Sequence, residues 1–140
     1  MGYTLRLLSL KCIQAQEADG DEIYAKLNGE IIFSWSRLGL KFYSAIKTEK
    51  HTNDFDFQSC QYATSTGVAA TTAYAPEDFE FADLEGEQIF ELWESDEEEF
   101  LRGDDDFLGE VVISESTLGE QTVKFTLEGA DYELRFIVTQ

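Results

Sequence analysis

The chain has 140 residues and a formal net charge of −19 at pH 7, from 29 acidic and 10 basic side chains. So negative a surface repels nucleic-acid backbones and anionic membranes, which argues against both as direct partners. At 43% hydrophobic and 14% aromatic residues the chain is too apolar for a disordered acidic polypeptide, and its length suits a single domain, residues 1–140, with a core of its own.

Taken in chain order, Thr4–Ile13 reads as a strand whose two parities are both partly apolar, so its buried face is ambiguous. Gln14–Gly20 is a polar loop. Glu22–Leu27 is a strand, and Asn28-Gly29 after it is a strong hairpin signal, because both residues tolerate positive φ. Glu30–Trp35 returns as the partner strand, and Lys41–Ile46 reads as another. Lys47–Asp54 is a polar connection holding His51, the one histidine of the sequence. Phe55–Tyr62 alternates and reads as one strand. Thr64–Ala75, rich in threonine and alanine, reads either as an excursion or as a short strand, and Pro76-Glu77-Asp78 is turn-like. Gln88–Trp93 is a strand, and Phe107–Ile113 is one entered through a tight approach at Gly109. Thr122–Leu127 and Tyr132–Val138 alternate well and are joined across Glu128–Asp131. Seven to nine short strands with turn signals between them, and no long helix, predict an all-β, single antiparallel sandwich.

Cys12 and Cys60 are too few for a disulfide framework. Each lies in an apolar segment, which predicts a reduced, buried thiol, with a single bridge as the alternative. Leu5–Leu10 is too short an apolar stretch for a signal peptide, and no run is long enough to span a membrane, so the expected location is the cytoplasm.

The acids are uneven. Sixteen of the 29 fall between Glu77 and Glu110, and Glu94 to Asp106 holds eight carboxylates and one cation, Arg102, in thirteen residues. Two unit charges about 7 Å apart in water repel by roughly 0.6 kcal/mol, so a folded loop of this composition is strained until a cation joins it. Calcium suits it, since it takes six to eight hard oxygen ligands in flexible geometry. A general acidic surface would spread its charge over the whole exterior. A second acidic loop, with Glu17, Asp19, Asp21 and Glu22, lies between the first two strands, and in a sandwich two loops at one end converge. These residues give the candidate ligand set: Asp19, Asp21, Glu22, Glu94, Asp96, Glu98, Asp104, Asp105 and Asp106.

The segment Leu92-Trp93-Glu94-Ser95-Asp96, an acidic spacer and then Asp106-Phe107-Leu108-Gly109 resembles the third calcium loop of C2 domains. Gly20-Asp21-Glu22-Ile23-Tyr24-Ala25-Lys26-Leu27 resembles their first loop and second strand. The resemblance implies a C2-like sandwich and places Glu22, Glu94, Asp96 and Asp106 at calcium-ligand positions. It covers residues 88–113 best and the middle of the chain hardly at all. The departures are Glu for Asp at positions 22 and 94, Ile23 where the family has proline, and a third loop about four residues longer. In size and composition the chain also resembles small acidic bacterial calcium-binding proteins of cyanobacterial type.

Asp104-x-Asp106-x-Leu108-Gly109, with Glu115 twelve positions in, partly fits an EF-hand loop. Its fifth position is Leu108 instead of Asp or Asn, and its flanks alternate as strands. Phe100 and Leu101, within the acidic loop, are either membrane-inserting tips or internal pins, and Arg102 is a local counter-ion. Trp35 and Trp93 read as core residues. No phosphate loop, zinc spacing or nucleophile elbow appears, so an enzyme is not expected. The expectation is a soluble calcium buffer or sensor, with Ca2+ as the cofactor. An acidic interaction protein, either a nucleic-acid mimic or the binder of a basic protein partner, is the alternative. A Ca2+-dependent membrane-docking module is a third. Two bound Ca2+ would take −19 only to about −15, so calcium answers the local cluster and not the total.

Overall fold

A computed structural model describes residues 2–14, 23–34, 54–64, 67–70, 74–94 and 105–140. The described residues form eleven strands, more than the seven to nine expected: β1 (Tyr3–Gln14), β2 (Ile23–Leu27), β3 (Glu30–Ser34), β4 (Asp54–Asp56), β5 (Gln61–Thr64), β6 (Gly67–Ala70), β7 (Glu80–Leu84), β8 (Gln88–Glu94), β9 (Asp106–Ile113), β10 (Gly119–Phe125) and β11 (Asp131–Thr139). They make two antiparallel sheets, a seven-stranded one in the order β10-β11-β1-β4-β5-β6 with β7 also on β1, and a four-stranded one in the order β3-β2-β8-β9. The fold is an all-β sandwich.

The ambiguity of the first strand has a physical origin. A register shift between Leu7 and Ser9, where β1 pairs with β11, adds a residue and flips the parity. Leu5 and Leu7 before the shift, and Leu10 and Cys12 after it, are therefore all buried. The free edge of β1 is shared: β7 pairs with its first half and β4 with Ser9 and Leu10.

Two expectations need correction, and one strand carries no periodic signal. Phe55–Tyr62 is not one strand but a hairpin, β4 and β5 around Phe57–Cys60. The Asp56 carboxylate accepts the backbone N–H groups of Gln58 (2.8 Å) and Ser59 (3.3 Å), and Cys60 takes φ 53°, so a side-chain cap turns the chain where alternation alone suggested continuity. Residues 80–84 form β7, whose mixed and largely exposed pattern hides it from periodicity. Trp93 is not a core residue; it lies on the outer face of the four-stranded sheet, between the inward-facing Leu92 and Glu94. The turn at residues 76–78 is a short 3-10 turn, Pro76–Phe79, and the small-residue segment after Thr64 includes the short strand β6. Trp35, His51 and the Lys41–Ile46 segment lie outside the described residues.

The hairpin at Asn28-Gly29 forms as expected, with φ of 51° and 86°. Asn28 also ties it to β8. Its N–H donates to the Ile89 carbonyl (2.8 Å), its Oδ1 accepts the Ile89 N–H (2.7 Å), and its Nδ2 donates to Gln88 Oε1. The sheets meet through aromatic side chains: Phe90 packs on Phe125 at 5.8 Å, and Phe33 packs on Phe57 and Phe79 at 5.2 and 5.9 Å. Gly109, at φ 147°, lets β9 approach β10; a Cβ there would lie 2.8 Å from a ring carbon of Phe125. Tyr3 is buried and its hydroxyl donates to the Gly86 carbonyl at 2.7 Å, while burial pushes its pKa up.

Candidate cation site

Both acidic segments meet the four-stranded sheet at one end. In the ladder Ile23 of β2 pairs with Glu94 of β8, and Glu94 pairs with Asp106 of β9. The start of β2, the end of β8 and the start of β9 therefore lie side by side. Residues 15–22 connect Gln14 to Ile23, and residues 95–105 connect Glu94 to Asp106. A shift between Leu92 and Trp93 in the β8–β9 ladder sets this last register.

Three of the nine candidate ligands are described here. Glu94 is on the inward face and only 1% exposed; Asp106 is half-buried; Asp105 is exposed. Asp19, Asp21, Glu22, Asp96, Glu98 and Asp104 lie outside the described residues, as do Phe100, Leu101 and Arg102. Among the described residues, no three His, Cys, Asp or Glu side chains are grouped closely enough to hold a metal ion. The three carboxylates share a sheet end and do not by themselves make a coordination sphere.

One contact at this end was not foreseen. The Tyr24 hydroxyl donates to Asp105 Oδ2 at 2.6 Å. The Tyr24 pKa stands far above its ordinary value, first because of burial, then because the hydroxyl donates to Asp105, and then through the charges of Asp105, Glu91 and Glu94. Tyr24 also stacks on Trp93 (6.3 Å, 11° between planes), and Trp93 packs on Phe107 at 5.0 Å. Cross-strand neighbours at this sheet end thus include three aromatic rings as well as the acids. The sequence reads Trp93 as a core residue; the register of the ladders sets it on the outer face between Tyr24 and Phe107.

The EF-hand alternative fails on geometry. Asp106–Ile113 is a continuous strand, so Glu115 sits at its far end, about 20 Å or more from Asp106 at the usual strand rise, where it cannot close a twelve-residue loop. The cysteines are both free and buried, and burial, followed by the charges of Asp78, Glu77 and Asp56, raises the Cys60 thiol pKa. No helix among the described residues is long and apolar enough to cross a membrane.

No protein-family model matches the chain, and no curated protein does. Among solved structures it is similar to human GIVD cytosolic phospholipase A2 in complex with methyl gamma-linolenyl fluorophosphonate inhibitor and terbium chloride, at 13% identity and a TM-score of 0.38. That match covers 99% of this chain and 17% of the phospholipase chain, so the sequence spans about a sixth of its length. At that similarity the neighbour bears on neither activity nor ligand.

Proposed function

We propose that this chain is a calcium-binding protein, a buffer or sensor of C2-like architecture that holds Ca2+ between its acidic inter-strand segments. The observation that carries the reading is the alignment of Ile23, Glu94 and Asp106 across three adjacent strands. It brings the anchor points of both acidic segments to one sheet end. The available donors are hard carboxylate oxygens, the chemistry calcium prefers. Glu94, Asp105 and Asp106 would supply ligands from the described sheet end, with Asp19, Asp21, Glu22, Asp96, Glu98 and Asp104 as the remaining proposed ligands. Mg2+ would bind less well, because it demands compact octahedral geometry and sheds water reluctantly.

Such an ion relieves repulsion among the carboxylates and stabilises the fold by mass action, by about 2.7 kcal/mol at a hundred times Kd. Calorimetric titration of chelator-treated protein is expected to give saturable heat with Ca2+, and the melting temperature is expected to rise. The triple variant Asp104→Asn/Asp105→Asn/Asp106→Asn is expected to lose both. Absence of heat and of any melting shift at millimolar Ca2+ would sink the proposal.

A further inference from the structure

The outer face of the four-stranded sheet combines apolar surface with two carboxylates that face each other across the ladder. Tyr24, Trp93 and Phe107 form a row across β2, β8 and β9; Lys26, Glu91 and Glu110 form the next row. Beyond them Ile89 pairs with Val112, and Ile31 pairs with Lys26 from the edge strand β3. Ile31, Ile89 and Val112 are 61%, 40% and 45% exposed, half of the six large hydrophobic side chains exposed among the described residues.

Glu91 and Glu110 face each other directly across two strands. Like charges in that position destabilise a sheet. Lys26, the cation of the row, has its ammonium 5.2 Å over the Trp93 ring, and Glu91 Oε1 accepts the Trp93 indole N–H at 3.1 Å. Among the described residues no salt bridge reaches either glutamate.

We infer that this face is an interaction surface for a basic protein segment that carries apolar side chains beside its arginines or lysines. The exposed Ile31, Ile89 and Val112 and the partly exposed aromatic rings gain by being covered, and the glutamate pair gains from a cation held between its carboxylates. A guanidinium suits the position, being weakly hydrated and able to stack on the neighbouring rings. Charge decides among occupants. A second copy would bring another −19 and another pair of glutamates to the same face, and nucleic acid or anionic lipid would be repelled in the same way. The inference does not rest on the calcium reading, and its test is run in chelator so that the two fail separately.

The probes are two fluorescein-labelled peptides of equal charge, one of repeated Arg-Leu-Leu-Arg units and one of repeated Arg-Ser-Ser-Arg units, titrated by fluorescence anisotropy at about 0.15 M salt, where exposed long-range attraction is screened. The leucine peptide is expected to bind at least about tenfold more tightly than the serine peptide. Glu91→Gln/Glu110→Gln is expected to weaken it by about tenfold. The charge-matched double variant Glu77→Gln/Glu128→Gln, at exposed turns elsewhere, is expected to change it less than about twofold. Equal affinity for the two peptides, or equal loss in the two double variants, overturns the proposal, because either result reduces the binding to general attraction for a polyanion.

Discussion

The two sheets keep their acids in different company. On the seven-stranded sheet each of three carboxylates has a cation: Glu80 with Arg6 at 2.7 Å, Asp131 with Lys124 at 3.1 Å, and Glu120 with Arg135 at 3.0 Å. On the four-stranded sheet Glu91 faces Glu110, the end of the ladder puts Glu94 beside Asp106, and Lys26 sits over an indole ring. Net charge is therefore a poor description of this molecule. One sheet pairs three of its carboxylates with cations, while on the other the facing Glu91 and Glu110 have no salt bridge among the described residues. The Tyr24 pKa is raised first by burial, then by its hydrogen bond to Asp105, and then by the charges of Asp105, Glu91 and Glu94.

The comparison can be tested by perturbing how the sheets meet and then each surface in turn. The largest effect is expected at Gly109→Ala. The new methyl would press on Phe125 at 2.8 Å from a backbone with φ of 147°, costing about 2 kcal/mol from overpacking and backbone strain; chemical denaturation measures it, and a neutral result would mean that β9 and β10 separate easily.

Tyr24→Phe removes the donor to Asp105 and is expected to cost about 1 kcal/mol after allowance for solvent screening. The sign with pH follows from the raised folded-state pKa. The stabilisation is complete below about 10, the pKa of an unfolded tyrosine, and is lost as pH climbs above it, because the unfolded chain then releases a proton that the folded chain retains. Denaturation of wild type and variant across the alkaline range should show the gap between them shrinking. A gap that widens with pH would refute the assigned field.

The smallest effect is the most diagnostic. Glu110→Gln removes one of two facing like charges and should raise the melting temperature slightly, whereas Glu120→Gln breaks the pair with Arg135 and should lower it slightly. Each change is expected within about 0.5 kcal/mol, and opposite signs in paired thermal melts are the result that matters. The same sign for both would erase the distinction between the sheets.

Much of this molecule was legible before folding, wherever the determinant is local. Asn28-Gly29 is a hairpin because both positions require positive φ. Gln88–Trp93 and Tyr132–Val138 are strands because period-two alternation buries one face, and Gly109 marks a close approach because only a missing Cβ fits against Phe125. Of the candidate site, the sequence carries the composition of both acidic segments. Three of the nine proposed ligands, Glu94, Asp105 and Asp106, lie among the described residues, at the sheet end where the strands adjoining those segments line up.

What tertiary structure alone decided depends on register and on partners distant in sequence. The parity change in β1 comes from its pairing with β11, which no window of eleven residues contains. The hairpin inside Phe55–Tyr62 rests on a carboxylate reaching its own turn, and its alternating pattern gives no warning of it. Trp93 reads as a core residue in the sequence, but pairing sets it on the outer face beside Tyr24 and Phe107. Glu91 and Glu110, separated by nineteen positions, become direct neighbours only when β8 and β9 zip together. Local chemistry chose strands and turns. Cross-strand register chose which charges meet, since a pleated sheet assigns side chains to faces by counting, and a one-residue shift moves every later side chain to the other face.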